Sequence, residues 1–112
     1  MSRRWHILRD GDALTLCRHL PPRFDFAVRA LLPRANPLRL AHQIRQDLWR
    51  ALQSLRGFSP VVALVPEGDG WVVTAGGRSA DRIPAPVIAR AQAVLNNPNN
   101  RARWVRHARE GR

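Results

Sequence analysis

The sequence predicts an α+β fold, with a small antiparallel β-hairpin sheet packed against three to four helices. Three observations carry that expectation. Residues 37–56 repeat apolar side chains at helical spacing, residues 61–75 hold two β-branched runs around a Gly- and Asp-bearing turn, and residues 84–109 return to helical periodicity. At 112 residues the chain fits one compact domain, 1–112. Within it, 1–20 is read as a hairpin or a loosely packed arm, and 98–112 as a basic C-terminal helix.

Arg4–Arg9 and Ala13–Arg18 read as short strands around Asp10-Gly11-Asp12, because Trp5 with Ile7 and Leu14 with Leu16 keep a two-residue period. Pro21-Pro22 stops the second strand. A short helix from about Pro22 to Leu32 is expected next, with Phe24, Ala27, Val28 and Leu31 at i, i+3, i+4 and i+7, and Pro33 ends it. The following helix, about Pro37 to Arg56, has Asn36 as its N-cap, Pro37 at its first position and Gly57 as its stop. On it Ala41, Ile44, Leu48, Ala51, Leu52 and Leu55 form one apolar face.

Pro60–Val65 and Gly70–Ala75 flank Pro66-Glu67-Gly68-Asp69 as a hairpin, and Gly76-Gly77 is expected to break its second strand. A helix from Pro84 to about Asn96 carries Val87, Ile88, Ala91, Val94 and Leu95 on a core stripe. Pro98 then starts the last helix, which runs to about Arg109.

Charge gives the functional lead. All nineteen basic residues are Arg, set against eight Asp and Glu, for a formal net charge of +11. Such a field draws in polyanions, and the planar guanidinium fork grips phosphate bidentately and stacks on bases. Codon bias toward Arg, Ala and Pro accounts for missing Lys equally well, but not for the scarcity of acids. Residues 1–60 and 85–112 are strongly basic, whereas 61–84 hold Arg78 and Arg82 against Glu67, Asp69 and Asp81. A polyanion is therefore expected at the flanks.

Two constellations follow. Arg39, Gln43, Gln46, Arg50 and Gln53 lie within a band of about 80° opposite the apolar face of helix 37–56. A helix fits the major groove of B-DNA, where Arg and Gln contact guanine and adenine edges bidentately. Duplex DNA is thus favoured over RNA, with Arg39, Gln43, Gln46 and Arg50 as groove or backbone contacts. In the C-terminal helix, Arg101, Arg103, Arg106 and Arg109 are read as a phosphate clamp. Trp49, at the edge of its apolar face, and Trp104, among these arginines, are candidate partner-binding residues, although a lone Trp such as Trp104 more often anchors its helix to the core. They support the alternative of an interaction adaptor or regulator docking on an acidic protein, or of a homodimer.

In order, helix 22–32, helix 37–56 and hairpin 61–75 resemble the middle and end of a winged helix–turn–helix domain. That resemblance implies a recognition helix followed by a two-stranded wing. It rests on element order over roughly half the chain. Strands before residue 20 and the acids Glu67 and Asp69 at the wing tip depart from it.

Catalytic signals are weak. His6, His19, His42 and His107 lie far apart, and none is in zinc-ligand spacing with Cys17. Asp10, Asp12, Glu67 and Asp69 sit in turns, and no GxxxxGK[ST] or GxGxxG loop occurs. The expectation is a non-catalytic protein that uses no cofactor and no metal. No apolar run approaches the roughly 18–20 residues that cross a bilayer, and no hydrophobic stretch follows Arg3-Arg4 as in a signal peptide. With a single Cys, a cytoplasmic location is expected.

Overall fold

The computed structural model describes residues 4–110. Five strands form one antiparallel sheet: β1 (His6–Asp10), β2 (Ala13–Cys17), β3 (Phe26–Pro33), β4 (Ser59–Glu67) and β5 (Gly70–Arg78), in the order β1-β2-β4-β5-β3. Three helices complete the α+β architecture: α1 (Pro37–Leu52), α2 (Ala85–Asn96) and α3 (Pro98–Glu110).

Both expected hairpins form. Gly11 and Gly68 take positive φ (59° and 55°) at the two turns, a backbone region that side chains disfavour. Residues 6–17 are no loose arm, since Leu14 and Leu16 of β2 pair with Leu64 and Val62 of β4.

The expected helix at 22–32 is a strand instead. Its sequence fits two periods, and the two-residue one prevails: Phe26, Val28 and Leu32 are buried, while Ala27, Arg29 and Leu31 are exposed. Pairing decides the choice. Residues 26–33 run antiparallel along the otherwise open side of β5, from Phe26↔Gly77 to Pro33↔Gly70, and so satisfy its hydrogen-bonding edge. With a strand before α1, and with β4–β5 at the centre of the sheet, the chain lacks the element order of a winged helix.

Gly76 and Gly77 continue β5 rather than ending it. A Cβ added at Gly76 would run into the carbonyl oxygen of Phe26, and one at Gly77 into that of Ser59. These glycines let β3 and β4 close on β5 from both sides.

Alternation sends Leu16, Val62, Ala75 and Val28 to the helix-covered face as one row across four strands. The row Thr15, Ala63, Thr74 and Arg29 points to the opposite face, where Arg29 Nε donates to Thr74 Oγ1 at 3.3 Å. Helix α1 lies on β2 and β4, α2 on β3, and α3 against α1 and α2.

The Asn36 side chain caps α1 by accepting from the Arg39 N–H at 3.0 Å, and the helix buries Leu40, Ala41, Ile44, Leu48 and Leu52. Each fully buried Leu or Ile stabilises by about 1.5–3 kcal/mol, so this face fixes how the helix is turned and which residues point outward. The helix stops four residues short of Arg56: Leu55 N–H bonds to the Leu52 carbonyl, and Gly57 turns the chain at φ 69°.

The outer edge of β3 is covered. Gln92 Nε2 donates to the Arg29 carbonyl at 2.9 Å, and Arg101 Nη2 to the Leu31 carbonyl at 2.5 Å. These side chains occupy alternate carbonyls that a further strand would otherwise pair with.

Candidate nucleic-acid interface

Because α1 presses its apolar stripe on the sheet, its opposite side faces solvent. Arg39, Gln46, Arg50 and Gln53 are exposed there, with Gln43 half-buried beside them. The sequence-derived band is therefore one continuous surface. Arg50 is the member with a carboxylate neighbour: its Nη1 lies 3.4 Å from Asp47 Oδ1.

Of the four arginines of α3, Arg101, Arg106 and Arg109 line one hollow, while Arg103 turns toward α1. Arg101 donates to the Leu31 and Leu95 carbonyls, and Arg109 holds the Arg34 carbonyl through Nε and Nη2 at 3.1 and 2.9 Å. Arg103 Nη2 bonds both Asp47 Oδ2 and Asn100 Oδ1 at 2.8 Å. Only Arg106 is fully outward, without a hydrogen bond among the described residues. Carbonyl bonds leave charge on Arg101 and Arg109 but fix their direction, since the strand end needs donors there.

Trp104 anchors its helix to the core and is not a partner-binding residue. It is fully buried, and its indole N–H bonds Asp47 Oδ2 at 2.7 Å, so no partner can reach it. Trp49 stays 46% exposed, as a partner-binding residue requires.

The structure brings together a group that sequence reasoning missed. Trp5, just before β1, meets Arg45 and Arg18, whose guanidinium carbons lie 4.5 and 5.4 Å from its ring centroid. His42 meets the same indole edge-on at 6.2 Å. Arg45 Nε donates to His42 Nδ1 at 3.2 Å, which requires that nitrogen to be unprotonated. Burial, and then the Arg45 charge, lower the His42 pKa below its ordinary 6.5. Burial, and then the Arg18 charge, lower that of Arg45.

Among the described residues the ion pairs are Arg23–Asp25, Arg50–Asp47 and Arg103–Asp47. Two arginines thus share one indole with no carboxylate between them. A hollow of ≈400 Å³ opens here, walled by Trp5, Arg18, His19, Arg45, Trp49 and Phe58. On the sequence, only the i, i+4 spacing of Arg45 and Trp49 along α1 hinted at it. Trp5 and Arg18 arrive through the β1–β2 hairpin, which no local pattern ties to α1.

Cys17 is buried at the end of β2, and burial raises its thiol pKa, which suppresses the nucleophilic thiolate. Among the described residues no group of three or more His, Cys, Asp or Glu converges to hold a metal ion. No helix among them is long and apolar enough to cross a membrane. Comparison with protein-family models, curated proteins and solved structures finds no match.

Proposed function

We propose that this is a small, non-catalytic, cytoplasmic nucleic-acid-binding protein that meets duplex DNA along the outward face of α1. The observation that carries the reading is the continuity of the outward Arg and Gln band on that helix. Arg39, Gln43, Gln46 and Arg50 line its outer face. Arg and Gln suit base edges or phosphates in a groove, and the arginine charge gives affinity independent of sequence. The α3 arginines contribute mainly to the long-range field, with Arg106 the one free to touch phosphate.

A mobility-shift titration of a short duplex across a salt series tests this. Affinity falls steeply with salt, and charge reversal at Arg39 and Arg50 abolishes the shift. Binding that is indifferent to salt or to these reversals refutes the proposal.

Exposed Trp49 favours a second reading, in which the basic face docks on an acidic protein. Retention of one acidic partner, with no binding to duplex or heparin, selects that reading over the first.

A further inference from the structure

The hollow at Trp5 does not end at its own walls. A second hollow of ≈260 Å³, lined by Arg23, Arg78 and Ser79, shares His19, Gly57 and Ser59 with it. Together they form a trough that begins at the flank of α1 and runs past the start of β4.

Three properties of this trough point to the same ligand. Its first part is aromatic, with the exposed Trp49 and the half-buried Trp5 and Phe58 on its walls. Cations stand at both parts: Arg45 and Arg18 in the first, Arg78 and Arg23 in the second. Asp25 pairs with Arg23, so the carboxylate near the trough offsets one of these four charges. Arg78 is the third indication. Its Nη2 is anchored on the Pro21 carbonyl at 2.8 Å, yet its Nε is buried with no partner. A buried donor left unpaired is costly, so this guanidinium stands at the trough wall with bonding capacity unspent.

We infer that the trough is a site for unpaired nucleotides: a base rests against the tryptophans of the larger hollow, and the sugar–phosphate backbone follows the arginines into the smaller one. The inference deepens the nucleic-acid reading and rests on it. Base stacking on aromatic walls, with a cationic path for the backbone, is the arrangement by which single strands are held without sequence preference. A paired base cannot enter, because its faces are already stacked within the duplex. The ≈400 Å³ of the first hollow falls within the roughly 300–1,000 Å³ of small-ligand pockets, enough for one nucleotide.

Trp5 and Trp49 also report occupancy, since stacking quenches indole fluorescence. The experiment titrates the full chain with a short oligothymidylate and with a blunt duplex, following Trp fluorescence and anisotropy. Trp49→Ala and Arg18→Gln alter exposed trough positions, Arg39→Glu with Arg50→Glu alters the outer face of α1, and thermal melts verify folding of each. The expected result is quenching by the single strand, and about tenfold weaker single-strand binding in each trough variant with duplex affinity within about twofold. Single-strand binding unchanged by both trough variants, or lost only with the α1 reversal, overturns the trough while leaving duplex binding intact. Failure of both nucleic acids to bind overturns the wider reading as well.

Discussion

The carboxylate of Asp47 accepts the indole N–H of Trp104 at 2.7 Å, tying the middle of α1 to the middle of α3. The same group holds Arg103 at 2.8 Å and Arg50 at 3.4 Å, and its side chain is only 11% exposed. One acid thus serves three donors on two helices.

Removing that acid is therefore expected to cost more than a surface ion pair. Asp47→Ala strands a buried indole donor, which by itself costs about 1–3 kcal/mol. Urea unfolding should report a loss of that size for Asp47→Ala, little reduced by salt because Trp104 is uncharged. A loss below about 0.5 kcal/mol, the range of ordinary surface substitutions, contradicts this account.

Arg101 and Arg106 sit five residues apart on α3 and should behave oppositely. Arg101 satisfies the Leu31 carbonyl on the edge of β3, whereas Arg106 is exposed. Arg101→Ala is expected to destabilise by about 1–2 kcal/mol and to promote association through the uncovered edge. Arg106→Ala should change stability by less than about 0.5 kcal/mol. Thermal melts and light scattering on the two variants check both statements.

Legibility in the sequence followed the reach of each signal. Helix α1 was evident because cap, first-turn proline and apolar stripe agree within sixteen residues. Hairpin β4–β5 was evident because its partners adjoin. Segment 26–33 was misread because Phe, Ala, Val and Leu satisfy helical and strand periods alike, and only the distant β5 selects between them. The outward band on α1 was readable from the helix alone. Neither the trough nor the engagement of α3 arginines was, since Trp5 reaches Arg45 and Arg109 reaches Arg34 only after the chain has folded.

Acid should weaken the fold through His42. Its Nδ1 accepts from Arg45, and its folded-state pKa lies below the 6.5 of the unfolded chain. Well above pH 6.5 both states leave the ring neutral and the stability is unaffected. As pH falls below 6.5, the unfolded chain takes up a proton that the folded one resists, so stability declines until the folded pKa is passed. Melts between pH 7.5 and 5.5 should show a falling Tm, and His42→Gln should flatten that slope. Equal slopes in both proteins would remove His42 from the explanation.

Two arginines on the outward face of α1 differ in their neighbours, and duplex binding should register the difference. Arg39 is exposed, with no ion-pair partner among the described residues, whereas Arg50 lies 3.4 Å from Asp47. Each phosphate neutralised by a free arginine contributes about −0.9 to the slope of log K against log salt concentration. Arg39→Ala should therefore flatten that slope by about 1. Arg50→Ala should flatten it by less, because Asp47 already offsets part of its charge. Arg39→Ala loses most affinity at low salt, where counterion release is strongest. Identical slopes for both variants and the parent protein would mean that the outer face of α1 touches no phosphate.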